Sequence, residues 1–427
     1  MEASSGCQLM PATRPYQLLG YPSDLSGHLA ALGPLPIPAA PSVKWRRSLA
    51  REVEASGLSG RGGAAFPASV KLQLAASTRL AGTVVVNAME GEPASHKDKL
   101  LLLWNPHLVL DGAAILAAAI GATEIVVCVP EGRDQVAVAV SGALRERAQR
   151  GIDAGRSCRV ARPPDRFVSG EESALVHWLA RGLAAPTFRP SKGVPLRIGS
   201  RTALVHNAET LAHIALIARF GADHFRSRGL PEEPGTTLVT ISGSVLQPGV
   251  IEVDRGTPLI DIVERAAPTT PPQAVLVGGY GGTWVGREAL TTPYASLWLR
   301  AIGANAGVGV AVVLGAGDCG VTETARIAAY MAGQSSGQCG PCAMGLPAVA
   351  DDLARLARGR ADPELQTRLR RRLGQIEGRG ACRHPDGVVA MVRSALTVFA
   401  DDVLAHELGS PCMGAAAPSK LLLPASR

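Results

Sequence analysis

Apolar positions recur with helical spacing over residues 43–55, 106–120 and 134–150, while 83–87, 124–129 and 159–161 are short apolar runs of the kind that form buried strands. A helix over 171–181 and one further strand and helix ending near Phe220 continue the alternation. Strands and helices in this rhythm predict a parallel sheet with crossover helices. Beyond Pro234 the pattern changes. Residues 237–242 and 250–253 read as strands around Gln247-Pro248-Gly249, a turn signal, and a short helix follows over 258–265. After Gly320, amphipathic stretches at 321–331, 347–357, 363–376 and 387–404 predict four helices, which suggests a bundle. The chain thus divides into an irregular arm over 1–41, an α/β unit over 42–233, a small α+β unit over 234–319, a helical unit over 320–412 and a tail over 413–427.

Composition narrows the function classes. With 427 residues the chain exceeds what one hydrophobic core usually serves, and 46% hydrophobic against 19% charged residues predicts folded structure throughout most of it. The excess of 43 Lys and Arg over 36 Asp and Glu gives +7, but the basic residues are mostly scattered Arg with no run interleaved with aromatics, so no nucleic-acid partner is predicted. Residues 1–20 lack the basic and then apolar layout of a targeting peptide, which predicts a cytoplasmic protein. The apolar stretch 112–129 contains Gly121 and Glu124 and reads as a helix followed by a strand, so no direct membrane insertion is expected.

Candidate chemistry concentrates in a glycine loop and two acidic clusters. Ser59-Gly60-Arg61-Gly62-Gly63-Ala64-Ala65-Phe66-Pro67 opens a helix carrying Lys71. Its glycines free backbone amides to cradle a phosphate at the positive helix end, and Lys71 can add a charge. Asn87-Ala88-Met89-Glu90-Gly91-Glu92-Pro93 leaves a strand at its carboxyl end, and Ser169-Gly170-Glu171-Glu172-Ser173 precedes a helix, positions where open α/β sheets bind ligands. The loop matches neither a Walker motif nor the dinucleotide fingerprint. A single phosphate cradle of this kind predicts FMN over FAD.

The eight cysteines read as thiols or metal ligands. Cys7, Cys128, Cys158, Cys319 and Cys412 stand alone in the sequence and are expected to be small buried hydrophobes. Cys339-Gly340-Pro341-Cys342 has ligand spacing, and Cys382, two residues before His384, supplies a third thiolate. Spacing alone leaves open an iron–sulfur centre and a structural zinc held by the three cysteines and His384.

In their order, the glycine loop, the two acidic clusters, His206-Asn207-Ala208-Glu209-Thr210-Leu211 and Gly337-Gln338-Cys339-Gly340-Pro341-Cys342 resemble the NADH-oxidising flavoprotein subunit of respiratory complex I, a subunit type shared with NAD-linked hydrogenases and formate dehydrogenases. The resemblance spans about residues 45–410. It implies a Rossmann-like FMN domain, a β-grasp (ubiquitin-like, soluble-ligand-binding) domain and a four-helix domain carrying a [4Fe-4S] cluster. It also implies an NADH dehydrogenase that passes electrons to a ferredoxin-like subunit of a redox complex or to a quinone-linked acceptor, with any contact to the inner membrane made through partner subunits. By the same resemblance Gly62, Gly63, Lys71, Asn87, Glu90, Gly170, Glu171, Glu172, Asn207 and Thr210 contact FMN, Phe66 stacks on NADH and Glu92 bonds it. Cys339, Cys342 and Cys382 ligate the cluster, with Ser336 where the family pattern places a fourth cysteine. Further departures are Met89 for an Asp, His206 for an Asn, and Leu74 and Lys192 for two aromatics that grip NADH. These departures leave two alternatives: an FMN/iron–sulfur relay with a degenerate NADH site, and a partner-binding scaffold with structural zinc.

Overall fold

The computed structural model describes residues 17–77, 82–153, 155–188 and 194–424. The first apolar runs form β1 (Gly82–Asn87), β2 (Glu124–Cys128), β3 (Ser157–Ala161), β4 (Leu196–Ile198) and β5 (Arg201–Asn207), side by side in the order β3-β2-β1-β5-β4. All pairings are parallel except β4 with β5. Val84, Val86 and Val127 share a core with the helices Pro106–Ile120 and Ala208–Phe220 on one face, whereas Val85, Val126 and Val205 meet Leu175 and Val176 of the helix Glu172–Arg181 on the other. Burial on both sides is why these strands read as unbroken apolar runs.

The Pro106–Ile120 helix is the axis of this unit. Pro106 suits its first turn, and it ends on Gly121 in the left-handed conformation. Among the described residues no single helix is long and apolar enough to cross a membrane; Lys97–Trp104 and Pro106–Ile120 pass such a test only as a pair bent by 95°. The second member is almost wholly buried in protein.

The expected irregular arm is corrected over its described part. Leu18 is fully buried, its N–H donating to Glu252 Oε2 and its carbonyl accepting from Asn105 Nδ2. A helix, Leu25–Leu32, is capped by Asp24 and inserts His28, whose Nε2 lies 2.8 Å from Asp111 Oδ2. Its buried anchor is an imidazole paired with a carboxylate, which an apolar pattern does not detect.

Residues 236–315 form a second sheet, of which the sequence pattern locates two strands. β6 (Thr236–Gly243), β7 (Gly249–Asp254), β8 (Pro272–Val277), β9 (Thr283–Gly286) and β10 (Val310–Gly315) lie in the order β7-β6-β10-β8-β9, parallel only between β6 and β10. Alternation decides the two faces. Val275, Val277, Ala311 and Val313 pack on the helix Leu259–Glu264, while Ala274, Leu276, Val310 and Val312 pack on the helical C-terminal region.

That region has five α-helices, not four: Gly320–Gly333, Leu346–Ala357, Leu365–Ile376, His384–Val398 and Ala400–Glu407. The stretch predicted as one helix over 387–404 breaks at Phe399, whose ring meets Trp284 of β9 edge-on with centroids 5.1 Å apart. Seating that ring beside Gly320 accompanies the loss of helical continuity.

The close approach of the helices Pro106–Ile120 and Ala208–Phe220 depends on Gly112, since a Cβ there would overlap the Leu211 carbonyl. Gly112→Ala is expected to lower stability by roughly 1–3 kcal/mol or more, because backbone cannot yield as a side chain can. Urea denaturation of wild type and variant checks this.

Candidate functional site

The glycine loop is closed on itself. Ser59 and Pro67 form an isolated bridge and Gly60 N donates to Phe66 O at 2.8 Å. Gly63 takes φ of 99°, a conformation open to glycine at no steric cost. Arg61 N donates to Thr210 Oγ1 at 2.9 Å, and Gly62 lies over Asn207, where an added Cβ would stand 3.4 Å from the Asn207 Cβ. The loop therefore rests on the carboxyl ends of β1 and β5, where the strand order changes direction and Asn87 and Asn207 are register partners. On its other side Gly63 faces Val308, just before β10.

Around this loop the predicted residues divide into two groups. Lys71 Nζ, at the mouth, donates to Glu172 Oε2 at 3.0 Å and to Val205 O at 3.1 Å. Beside it the His206 imidazole is buried, and burial first and the Lys71 charge second hold its pKa well below the usual range. Its Nε2 has no hydrogen-bond partner among the described residues. Asn87 Nδ2 donates to Gly170 O at 2.9 Å, and Glu171 caps the following helix by accepting from Ala174 N. Phe66 and Leu74 are half-buried near the loop, and Lys192 lies outside the described residues.

Glu90 and Glu92 turn inward. Glu90 accepts from Ser95 Oγ and from the backbone N–H groups of Asp98 and Lys99, so its carboxylate caps the helix Lys97–Trp104. Glu92 is 6% exposed and accepts from Ala94 N and, at 2.8 Å, from Tyr280 N in the second sheet unit. Burial pushes its pKa up to about 7 against the pull of those two donors. The residue expected to bond NADH thus fastens two units together in this structure.

Beneath the loop lies a charged cluster that the sequence reading missed. Lys97, 1% exposed, reaches Glu209 at 2.8 Å, Asp98 at 3.0 Å and Asn207 Oδ1 at 3.2 Å. Arg61 approaches Glu209 at 3.9 Å, while Glu209 also accepts from Thr237 Oγ1 and Leu238 N of β6. Burial works against every charge here. For Lys97 and Glu209 the opposite charges outweigh it, raising the lysine and lowering the glutamate, whereas Asp98 is left raised to about 6. The available signal was a Lys-Asp pair entering an apolar helix and a Glu inside the motif 206–211.

The three C-terminal cysteines come together. Cys339 and Cys342 flank the start of a one-turn π-helix, Pro341–Gly345, an element frequent at functional sites. Burial first, then the neighbouring Cys339 and Cys382, push the Cys342 thiol up to about 12. Burial also raises Cys382 against an N–H donated by His384. His384 Nε2 bonds Met331 O at 2.9 Å, so its Nδ1, buried and unpartnered, carries the lone pair. Ser336 lies half-buried on the loop before Cys339.

One short turn, Phe167–Gly170, links this region to the carboxyl end of β1. Phe167 N donates to Gln334 Oε1 at 3.1 Å, Arg166 Nη2 donates to Ser335 O, and the Phe167 ring meets His384. At its far end Gly170 receives Asn87.

Two family patterns match the chain at these two places: the Nuo51 FMN-binding domain over residues 53–216, and the NADH-ubiquinone oxidoreductase-F iron-sulfur binding region over 322–406. Both patterns are of the NADH-quinone oxidoreductase F subunit type, which the chain resembles. Similar proteins are the second NADH-quinone oxidoreductase F subunit of Rhizobium meliloti (strain 1021), 29% identical over 83% of this chain and 87% of the relative, and the F subunit of Mycobacterium bovis (strain ATCC BAA-935 / AF2122/97), 29% identical over 84% of each. Among solved structures an NAD+-reducing [NiFe]-hydrogenase in the H2-reduced state superposes with a TM-score of 0.79 at 30% identity, over 84% of this chain. The present chain spans only 63% of that hydrogenase chain.

Lys97→Met would leave Glu209 and Asp98 buried without their cation, and an expected loss of about 3–5 kcal/mol follows. Removing Arg393 from its exposed pair with Glu377 should cost less than about 1 kcal/mol in the same urea titrations. Glu92 gives a pH signature. Its folded pKa is raised above the unfolded 4.5, so its contribution is fully present below pH 4.5 and is lost as pH rises to about 7. Wild type should therefore lose stability across that window relative to Glu92→Gln, by at most about 1.4 kcal/mol per pH unit. Parallel slopes for the two proteins would exclude this assignment.

Proposed function

We propose that this chain is the NADH-oxidising flavoprotein subunit of a redox complex, holding FMN at the glycine loop and an iron–sulfur centre at Cys339, Cys342 and Cys382. The observation that carries this reading is the Phe167–Gly170 turn, whose Gly170 carbonyl accepts from Asn87 at the end of β1 while Phe167 N donates to Gln334 on the stretch leading to Cys339. Such groups, when bound, supply hydride acceptance from NADH and single-electron transfer onward to a ferredoxin-like subunit or a quinone-linked acceptor.

The residues present fit FMN. A Cβ at Gly62 or Gly63 would meet Asn207 or Val308, amides lie at the start of the helix Ala68–Ala76, and the unpaired His206 Nε2 sits beside Lys71. Gly62 and Gly63 would hold the phosphate with Lys71, and Asn87, Gly170, Glu171, Glu172, Asn207 and Thr210 would orient the rest. Glu90 would act through the helix it caps. Phe66 offers the aromatic face for the nicotinamide nucleotide.

They also fit a sulfur-bound iron centre. A single zinc ion would draw two thiolates to about 3.8 Å from each other, given bonds near 2.3 Å. Yet Cys339, Cys342 and Cys382 are not among the ligand groups lying mutually within 4.8 Å in the described residues. The iron-sulfur binding region matched over residues 322–406 favours the cluster over structural zinc. Ser336, or the Nδ1 of His384, would supply the fourth ligand.

In this reading the second sheet, with its order second-first-fifth-third-fourth, is a β-grasp domain and the C-terminal helices are the cluster domain. The chain would be cytoplasmic and reach a membrane only through partner subunits. A second reading keeps both cofactors as a relay without productive NADH binding. The burial of Glu92 and the aliphatic Leu74 favour it.

Anaerobically purified protein should show flavin bands that bleach on adding NADH, with FMN as the extracted flavin; bands that persist with NADH but bleach with dithionite select the relay. Extraction of FAD, or of no flavin, overturns both readings. Ser336→Cys should raise iron per chain and slow bleaching in air, because a thiolate forms at accessible pH whereas a serine alkoxide does not. Equal iron content and air stability would remove Ser336 from the ligand set.

A further inference from the structure

Cys319 and Cys412, expected to be isolated hydrophobes, meet in space, and His406 completes the group. The two sulfurs and the imidazole nitrogen all lie within 4.8 Å of one another, and this is the only such three-ligand group among the described residues. Cys319 precedes the helix Gly320–Gly333, with its Sγ accepting from Thr322 N at 3.3 Å. His406 projects from Ala400–Glu407 and is fully buried. Cys412 belongs to the C-terminal segment.

The histidine is already in the tautomer a metal requires. Its Nδ1 faces Leu356 O at 3.2 Å and Ala357 O at 3.1 Å, terminal carbonyls of the helix Leu346–Ala357, so Nδ1 carries the proton. The Nε2 lone pair is then left pointing at Cys319 Sγ, 3.4 Å away. An N–H donated to backbone carbonyl is the outer-shell arrangement that orients metal-bound histidines. Tetrahedral zinc with bonds of about 2.3 Å to sulfur and roughly 2.0–2.1 Å to nitrogen separates those two atoms by about 3.5 Å.

We propose that Cys319, His406 and Cys412 bind a zinc ion, separate from the cysteines of the iron–sulfur region. Two thiols lose their protons to solvent as Zn2+ enters, so the two negative sulfurs neutralise the ion. Water completes the tetrahedron from a polar cavity of about 90 Å³ lined by Cys319, Thr322, Glu323, Arg326 and Ser419. The ion fastens the C-terminal segment to the helices. That segment is otherwise held by Ser419 Oγ and Lys420 N donating to Glu323, and by Leu422 O accepting from Tyr280.

The test measures zinc and iron per chain in full-length protein, then titrates Co2+ into chelator-treated protein whose Cys339, Cys342 and Cys382 are all serine. About one zinc per wild-type chain is expected, lost in Cys412→Ser and His406→Gln but retained in Cys342→Ser, which loses iron instead. Co2+ should give sulfur-to-metal charge-transfer absorption at one equivalent and release about two protons. Chelation should also expose the chain after Leu408 to limited proteolysis. If Cys412→Ser does not fold, the cobalt titration, which leaves the three ligands intact, decides the matter. Absence of zinc with no cobalt–thiolate band, metal retained after Cys319→Ser with Cys412→Ser, or a Cys319–Cys412 disulfide in non-reduced peptides would each overturn the site.

Discussion

Burying Lys97 is the constraint from which the arrangement of the loop follows. An ammonium taken out of water is tolerable only if fixed carboxylates surround it, and here they come from its own helix and from the strand-to-helix junction at Glu209. Each partner brings an element with it. Glu209 reaches across to Thr237 and Leu238, Arg61 carries the glycine loop, and Asn207 caps a helix while touching both Lys97 and Asp98. The position of the loop over β1 and β5 is thus set by charge pairing more than by apolar contact.

The second consequence concerns distance between the two candidate cofactor sites. They belong to cores that pack separately, one around Pro106–Ile120 and one around the C-terminal helices. Relative motion of such cores would change the spacing on which electron transfer depends. Two polar ties oppose that motion at the place where it matters: Glu92 to Tyr280, and Phe167 with Arg166 to residues 334 and 335. Both ties end on backbone atoms, so they fix main-chain position as well as side chains.

What the sequence made legible was whatever depended on apolar period or on contiguous motif. The parallel sheet and its helices carry both signals, and their observed bounds lie close to those expected. Strands β8 to β10 escaped because short Val and Ala runs carry weak period and pair with partners distant in sequence. The helix break at Phe399 is a tertiary effect of an aromatic contact. In the same way Glu90 and Glu92 sit in a motif that marks a ligand site, while their inward direction follows from a left-handed backbone at Glu90 and from a neighbouring unit. Cys319 and Cys412 stand 93 residues apart and share no motif, so only the fold brings them to His406.

Against the pattern that the sequence resemblance implies, Met89 and His206 near the loop bear on its charge. Met89, in place of a carboxylate, is buried, and Gly170 approaches it closely enough that an added Cβ would stand 3.3 Å from the Met89 Cβ. Met89 thus approaches the Gly170 turn through its Cβ, and Asn87 reaches the Gly170 carbonyl. His206, in place of an amide, is held neutral by burial and by Lys71, so it adds no positive charge there. Together the two substitutions remove one negative charge from the rim and supply no compensating one. Lys71 then has Glu172 as its nearest carboxylate, and that pair is partly exposed, where solvent screens it. An anionic group placed on the loop amides would meet less repulsion here than with a carboxylate at position 89.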